Sequence, residues 1–330
     1  MKVILNLLLG MLFAASLQAK TIYFVPYPKS NPLKTFYDPH SSLDEVAKKW
    51  CALRIALEQK GYTVAFTQDA KDLKDVEAII SITNTKPELL KNLTNYPKNK
   101  CILLAYEPPV YMPKIHDKSL TDYFGKILVM FDDIVDNVNY FKLYYAQPRF
   151  EMVKNILRFD EKKLCVFIGR NKKSSHPSEL YNERINTINY FTQHHPAEFD
   201  LYGSDWEGYQ NWKGTVVGKW KIYTKYKFNI CYENMKDQVG YITEKIFDSF
   251  VGGCVPVYWG ADNIGDYIPS ECYIDRRQFA TNEDLHHFLI SMDEKTYNNY
   301  LSAIKNFLAS PQAEPFTIDY FIKTIFDLIN

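Results

Sequence analysis

Short apolar runs alternate with amphipathic stretches along most of the chain. In the first half, the runs that have the length and composition of buried strands are residues 21–27, 62–67, 76–82, 101–106 and 126–131. Helical periodicity between the runs predicts helices over residues 43–60 and 87–95. Strands and helices that alternate in this way predict a parallel sheet with helices on both faces.

The second half repeats this pattern. Its predicted strands are residues 164–168, 199–202, 228–231 and 255–258, and its predicted helices are residues 178–193 and 241–250. Gly252 and Gly253 supply a left-handed turn that ends the second of these helices. From Asn282 onward the pattern predicts helix to the end of the chain.

The segment 147–163 is charged and lacks strand periodicity, so it separates the two series of elements. The chain of 330 residues also exceeds the size at which one hydrophobic core stops growing. We therefore expect an α/β protein with two Rossmann-like domains, over residues 20–155 and 156–330. Ligands of such folds bind at the carboxyl ends of the strands, which places the chemistry in the cleft between the domains.

Charge disfavours one class of partner. The chain has 39 basic and 39 acidic residues, so no long-range field would hold a polyanion, and nucleic acid is not the expected partner. Six cysteines could form disulfides, but most lie in apolar runs, which favours free thiols in the core.

The amino terminus has the pattern of a targeting segment. Met1 and Lys2 precede an uncharged run, residues 3–19, that ends in the small residue Ala19. This pattern predicts a signal peptide over residues 1–19, because the run is short for spanning a bilayer. An uncleaved anchor that associates residues 3–19 with a membrane is the alternative, and a buried element is a third. We expect an exported or membrane-associated protein.

A candidate anion site follows the strand that ends at Glu233 and Asn234. After a loop, a helix is predicted to start near Ile242 with Glu244 and Lys245 in its first turn. The unpaired amides of a helix amino terminus suit a diphosphate, and Lys245 adds a full positive charge. The carboxylate of Glu244 is suited to accept hydrogen bonds from a ribose diol. Surface charge is the alternative interpretation.

Three sequence blocks make this region more specific. They are Phe-Asn-Ile-Cys-Tyr-Glu-Asn at 228–234, Gly-Tyr-Ile-Thr-Glu-Lys-Ile-Phe-Asp at 240–248 and Val-Pro-Val-Tyr-Trp-Gly at 255–260. Together they resemble the donor-binding motif of the family 10 glycosyltransferases, the α-1,3/4-fucosyltransferases. The resemblance is dense over residues 227–269. It implies a GT-B architecture and inverting transfer of fucose from the donor substrate GDP-fucose to a glycan hydroxyl. It implies no required cofactor, with a divalent metal at most stimulatory.

The resemblance also implies roles for individual residues on the donor side. Asn171 matches the turn after the first donor-domain strand, and Arg184 matches a helix arginine that contacts the diphosphate. Asn234 and Tyr241 would complete the phosphate contacts, and Glu233 would reach fucose hydroxyls or the loop backbone. The donor set is thus Asn171, Arg184, Glu233, Asn234, Tyr241, Glu244 and Lys245.

Two of these assignments carry alternatives. Arg184 could instead be a surface arginine that pairs with Glu179 or Glu183. Arg170 is a second candidate for the phosphate, at a position where the family more often has serine.

The base implied by the resemblance is Glu107, which follows the strand at 101–106 and precedes Pro108 and Pro109. A carboxylate at the carboxyl end of a parallel strand faces the opposite domain's ligand. The family often has Ser-Pro or Asn after this glutamate, so Pro108 is a departure. A carboxylate that caps a neighbouring amide is the alternative.

Other polar groups indicate less. The segment Phe131-Asp-Asp lacks an arginine that many family members carry nearby. A metal site at Asp132 and Asp133 is an alternative interpretation of this segment, but we predict that the protein has no metal site. The pairs at 194–195 and 286–287 are adjacent histidines, which do not face one site together, so we expect them in solvent.

Three rival functions remain open at this stage. An exported two-domain sugar-binding protein would need neither a base nor a diphosphate site. A transferase with another GDP-sugar would need both, and an inactive relative would keep the fold alone. An exported transferase would also need a source of its donor, because nucleotide sugars are made in the cytosol.

Overall fold

A computed structural model describes residues 20–329, and residues 1–19 with the signal or anchor prediction lie outside that range. The amino-terminal domain is built on a six-stranded parallel sheet of order β2-β1-β3-β4-β5-β6. Its strands are β1 (Thr21–Val25), β2 (Thr63–Phe66), β3 (Val76–Ile82), β4 (Cys101–Ala105), β5 (Lys126–Val129) and β6 (Tyr140–Lys142).

The carboxyl-terminal domain is built on a five-stranded parallel sheet of order β11-β10-β9-β7-β8. Its strands are β7 (Lys163–Ile168), β8 (Phe199–Tyr202), β9 (Tyr226–Tyr232), β10 (Val255–Trp259) and β11 (Ile274–Asp275). The predicted α/β class with two Rossmann-like sheets is confirmed. Among the strands within residues 20–329, the short edge strands β6 and β11 were missed, because two or three residues are too few to show a period.

Ten α-helices connect and cover the strands within residues 20–329. They are α1 (Pro32–Tyr37), α2 (Ala47–Gln59), α3 (Pro87–Leu93), α4 (Tyr181–His194), α5 (Lys219–Tyr223), α6 (Glu244–Val251), α7 (Ile264–Tyr267), α8 (Asn282–Ser291), α9 (Glu294–Leu308) and α10 (Ile318–Ile329). The helical prediction from Asn282 onward corresponds to α8, α9 and α10.

Helix α2 begins later than the predicted residue 43. Asp44 and Glu45 adopt left-handed φ angles of 56° and 62°, which interrupt the helix before Ala47. Both acidic side chains instead bind basic groups farther along the chain: Asp44 pairs with Lys219, and Glu45 pairs with Arg149. Tertiary ion pairs therefore override the local helical pattern.

The helices near the cleft begin where side chains can bind their first amides. Helix α4 starts three residues after the predicted position, and the Glu179 carboxylate accepts hydrogen bonds from the backbone N–H groups of Tyr181 and Asn182. Helix α6 starts at Glu244, so Glu244 and Lys245 lie in its first turn as predicted. It ends before Gly253, whose φ is 62°.

The last helix returns to the amino-terminal domain. Phe321, Ile325 and Leu328 of α10 are buried in that domain's core, and the rings of Trp50 and Phe321 meet edge to face with centroids 5.6 Å apart. The strands of the two sheets do divide between Lys142 and Lys163. The chain is not split in space at residue 155, however, because α10 must cover apolar side chains of α2.

A network centred on Asp132 joins the two domains. The Asp132 carboxylate accepts hydrogen bonds from Lys142 Nζ at 2.6 Å, Asn263 Nδ2 at 3.0 Å and Tyr267 Oη at 2.7 Å. Gly240 lies against it with φ at 76°, and a Cβ there would come within 2.2 Å of Asp132 Oδ1. Both carboxylate oxygens of Asp132 are thus engaged by protein groups, and Asp133 is exposed.

Burial of the cysteines agrees with the sequence prediction, and burial of the histidines does not. All six cysteines are free and buried. The prediction of solvent-facing histidines is wrong for His286, which is 4% exposed. Its ring stacks on that of His195 with centroids 3.4 Å apart, so one member of each adjacent pair meets in space.

No helix within residues 20–329 is both long and apolar enough to cross a membrane.

Candidate active site

A cavity of about 320 Å³ lies between the domains at the carboxyl ends of both sheets. This volume is at the lower end of the range for ligand pockets. Polar and aromatic side chains from both domains form its wall. They are Tyr106, Glu107, Tyr145, Arg170, Lys172, Arg184, Lys219, Tyr223, Asn229, Tyr232, Asn234, Tyr241, Thr243, Glu244 and Lys245.

Glu107 lies two residues after the end of β4 and presents a half-buried carboxylate to the cavity. Within residues 20–329 no group hydrogen-bonds that carboxylate, whereas its backbone carbonyl oxygen lies 2.7 Å from His116 Nε2. Burial raises the pKa of Glu107, and Lys172 and Lys245 of the opposite domain act against this rise. The alternative of an amide-capping carboxylate is therefore not what the structure shows.

Lys245 is held in place by a carboxylate behind the cavity wall. Its Nζ lies 2.9 Å from Glu233 Oε2 and 2.9 Å from Thr243 Oγ1. Glu233 is fully buried and also accepts the Thr243 backbone N–H at 2.9 Å. Burial alone would lower the pKa of Lys245, but Glu233 and Glu244 raise it above the usual lysine value. Glu233 thus orients the loop and Lys245, and it does not reach the cavity itself.

Glu244 stays ionised because two lysines flank it. Its Oε1 lies 3.7 Å from Lys245 Nζ and 3.9 Å from Lys219 Nζ. Burial by itself would raise the pKa of Glu244, yet Lys245 and Lys219 together lower it to about 2. Lys219 also pairs with Asp248 at 3.0 Å and with Asp44 of the other domain at 3.2 Å. The ionised Glu244 carboxylate, which can accept hydrogen bonds but cannot donate them, therefore lies where the two domains meet.

Arg184 is 5% exposed, so it is not a surface arginine. Its Nη2 donates hydrogen bonds to the backbone carbonyl of Tyr232 at 2.7 Å and to Asn234 Oδ1 at 3.0 Å. The alternative pairing with Glu179 or Glu183 is wrong. These contacts fix the guanidinium of Arg184, on α4, beside the end of β9.

The remaining predicted donor residues divide between the cavity wall and its surroundings. Tyr241 is buried on the wall, where its ring packs against Phe131 with centroids 5.5 Å apart. Asn171 does not line the cavity, and its side-chain amide donates to the Asp205 backbone carbonyl at 3.0 Å. Asn171 therefore shapes the turn after β7, because its amide is used within its own domain.

Lys172 is a cavity residue that the sequence analysis missed. Its Nζ lies 4.0 Å from the ring centroid of Tyr111, in the other domain, and burial lowers its pKa while Glu107 acts to raise it. The adjoining Ser174 Oγ donates to the Val110 backbone carbonyl at 3.3 Å. The basic run Arg-Asn-Lys-Lys at the end of β7 was the available signal, but only the fold shows which lysine turns toward Glu107.

Several buried polar atoms near the cavity lack a protein partner. Within the described range, the Tyr106 and Tyr181 hydroxyls and the Arg184 Nε make no hydrogen bond. Such atoms are costly to leave unpaired in a folded protein. A bound polar ligand in the cavity would satisfy those that face it.

The two facing domains define a GT-B glycosyltransferase fold. A crystal structure of an α1,3-fucosyltransferase with GDP-fucose matches with a TM-score of 0.55 at 14% identity, over 94% of this chain and 90% of that chain. An α-glucosyltransferase in complex with UDP and a 13-mer DNA matches with a TM-score of 0.53 at 12% identity, over 94% of this chain and 99% of that one. At such identities the similarity establishes the architecture alone.

Comparison of sequences is more specific about the family than comparison of structures. Residues 160–316 match the family model for glycosyltransferase family 10 (fucosyltransferase), C-terminal part. This match confirms the resemblance to glycosyltransferase family 10 seen in residues 227–269.

Curated relatives match over limited segments. The α-(1,3)-fucosyltransferase FucT of Helicobacter pylori is 34% identical over 92 residues, which are 28% of this chain and 17% of that protein. The human 4-galactosyl-N-acetylglucosaminide 3-alpha-L-fucosyltransferase 9 is 29% identical over 154 residues, 44% of this chain and 38% of that protein. The matches thus cover less than two fifths of either relative.

Proposed function

We propose that the chain is a fucosyltransferase that moves fucose from GDP-fucose to a glycan hydroxyl with inversion at the anomeric carbon. The observation that carries this proposal is the unpartnered carboxylate of Glu107, which faces a cavity whose opposite wall presents Arg184, Lys245 and Lys172. The family match and a neighbouring structure crystallised with GDP-fucose support the choice of donor.

In this mechanism Glu107 takes the proton of the acceptor hydroxyl while that oxygen attacks the anomeric carbon. The bond between the anomeric carbon and the diphosphate oxygen breaks, and GDP leaves with the growing negative charge. A positioned base of this kind contributes about 10² to 10⁴ in rate. Burial raises the pKa of Glu107, which makes it a better proton acceptor near neutral pH.

Fixed positive groups would stabilise the departing diphosphate. Arg184 and Lys245 are held by hydrogen bonds within the carboxyl-terminal domain, so little reorganisation is needed when charge develops. Asn234, Tyr241 and the first amides of α6 would complete the phosphate contacts, with Glu244 on the ribose diol. We propose that no metal ion is required, and we expect the rate to change by no more than a small factor when Mg²⁺ and Mn²⁺ are omitted.

The decisive experiment measures donor hydrolysis and transfer, with GDP-fucose compared against GDP-mannose and UDP-sugars over lactosamine-type acceptors. We expect turnover with GDP-fucose, and we expect Glu107→Gln to lower kcat by about 10² to 10⁴ while GDP binding is retained. The matched control is Glu207→Gln, at an exposed position away from the cavity, which should leave kcat unchanged.

Each other outcome selects a different function. Turnover of another GDP-sugar would keep the mechanism and change the donor. Binding of free sugars without nucleotide binding would identify an exported sugar-binding protein. A chain that binds neither would be an inactive relative that has kept the fold.

We also propose that residues 1–19 direct export or anchor the chain to a membrane, which would place the catalytic domain in a compartment that imports GDP-fucose. Fractionation with amino-terminal sequencing tests this. Soluble exported protein that begins at Lys20 would support a cleaved signal, and membrane-bound protein that retains Met1 would support an anchor. Cytosolic protein with an intact amino terminus would contradict both.

A further inference from the structure

Three side chains that could bind a metal ion meet at the end of the carboxyl-terminal domain that is remote from the cleft. His195 follows the last turn of α4, Glu198 immediately precedes β8, and His286 lies on α8. One ligand atom from each lies within 4.8 Å of the others. Because Glu198 precedes its strand, the cluster lies at the amino end of β8, whereas the cavity lies at the carboxyl ends.

The distances within the cluster suit a small cation. Glu198 Oε2 lies 2.7 Å from His286 Nε2 and 3.6 Å from His195 Nδ1. The ligands of a tetrahedral zinc ion, with bonds of about 2.0–2.2 Å, are separated by roughly 3.3–3.6 Å. The first distance is that of a hydrogen bond, the second matches the zinc separation, and the two imidazole nitrogens lie within 4.8 Å of each other, so side-chain rotations would be needed to complete the geometry.

Burial and contact with Glu198 hold His286 in the cluster. His286 is 4% exposed, and its Nε2 faces the Glu198 carboxylate. The ring of His195 stacks on that of His286, with centroids 3.4 Å apart, so both imidazoles are held at the cluster. Neutral imidazole is the form that binds a metal ion.

We propose that His195, Glu198 and His286 bind one Zn²⁺ ion, with a water molecule as the fourth ligand. Imidazole nitrogens favour zinc over magnesium or calcium, which prefer oxygen ligands. The Glu198 side chain is 43% exposed, which leaves a solvent-facing side for the water. Tyr190 Oη lies 3.3 Å from His195 Nε2, the second-shell contact that orients a zinc-binding imidazole.

The ion would have a structural role in the carboxyl-terminal domain. It would join the end of α4 to α8, two elements that also meet through the ring contact of Phe191 with His286 and the hydrogen bond from Thr187 Oγ1 to Asn282 Oδ1. Along the helix axis, His195 is about 16 Å from Arg184, because an α-helix rises about 1.5 Å per residue. The site therefore takes no part in sugar transfer, and its test does not depend on the proposed function.

The experiment measures Zn²⁺ binding by the full chain, without a histidine tag, after removal of metal with a chelator. We expect one Zn²⁺ per chain, a higher melting temperature with Zn²⁺, and a four-coordinate absorption spectrum when Co²⁺ replaces it. His195→Ala, Glu198→Gln and His286→Ala should each weaken Zn²⁺ binding at least about tenfold. The matched controls are His194→Ala and His287→Ala, the exposed neighbours, which should bind as the unmodified chain does.

The comparison of Glu198→Gln with His194→Ala decides the question, because both positions are accessible and neither change empties the core. Zn²⁺ binding that is equal in these two variants would overturn the proposal, as would absence of stoichiometric Zn²⁺ in the unmodified chain. Loss of binding and of thermal stabilisation in Glu198→Gln, but not in His194→Ala, would support it.

Discussion

At the scale of single residues, the Glu107 carboxylate makes no hydrogen bond within residues 20–329, whereas hydrogen bonds hold Arg184 and Lys245 in place on the opposite wall. Glu107 takes its electrostatic environment from Lys172 and Lys245, which belong to the opposite domain. Lys245 is held by Glu233, whereas Lys172 lies over the face of Tyr111 and forms no ion pair with any residue in the range 20–329. Lys172 is therefore the cation whose removal changes Glu107 with the least disturbance of the fold.

Lys172→Met tests this relation through the pH dependence of turnover. The base must be ionised, so kcat/KM falls as pH decreases through the pKa of Glu107. Loss of the lysine charge removes an influence that lowers this pKa, and the acidic limb should move to higher pH by roughly half to one pH unit. Lys173→Met, at the exposed neighbour, is the control. A uniform loss at every pH would contradict the prediction.

At the scale of elements, the end of β9, the loop and the start of α6 act as one unit. Glu233 receives the Thr243 backbone N–H, the Thr243 hydroxyl and the Lys245 ammonium, so one buried carboxylate holds both sides of the loop. The Lys245 ammonium is partly buried, so it needs the negative charge of Glu233 nearby. A hydrogen bond to an uncharged backbone group would not replace that charge.

Glu233→Gln should weaken this unit without emptying space. The amide keeps an acceptor for Thr243 but leaves the Lys245 ammonium without its closest ion pair. We expect the free energy of unfolding to fall by about 2 kcal/mol, and donor binding to weaken as the loop loosens. Denaturant unfolding and GDP titration measure both effects. Glu271→Gln on the exposed surface is the control, and an unchanged midpoint in Glu233→Gln would show that the carboxylate is dispensable.

At the scale of the whole molecule, side chains from each domain determine how the cavity is closed. Asp132 binds Lys142 of its own domain together with Asn263 and Tyr267 of the other. Lys219 makes a second bridge, to Asp44. These contacts set the distance between Glu107 and the cationic wall.

Asp132→Asn should loosen the domain contact. It leaves the largely buried ammonium of Lys142 without its counter-charge, and burial already acts to lower the pKa of Lys142. We expect a loss of about 1–3 kcal/mol in the free energy of unfolding and a lower kcat. Thermal unfolding and turnover are the measurements. Asp133→Asn should stay within about 0.5 kcal/mol, because that side chain is exposed. Equal effects at both positions would favour a shared metal site instead.

Much of this arrangement was predictable from the chain alone. Periodicity identified the nine longer strands within residues 20–329, because a buried parallel strand needs an uninterrupted apolar run. The motif near Glu233, Asn234, Glu244 and Lys245 indicated the correct loop and helix, since a strand followed by a helix amino terminus is local in sequence. The sequence also indicated Glu107 as the group at the end of β4.

What only the tertiary structure decided were contacts between groups far apart in the chain. Packing brings His195 to His286 and places Lys172 opposite Glu107. Packing also lets Asp132 bind groups of both domains and returns α10 to the amino-terminal domain. Local patterns specify which face of an element is apolar, but they do not specify which distant element covers it. Hydrophobic burial and ion pairing make that choice once the whole chain is folded.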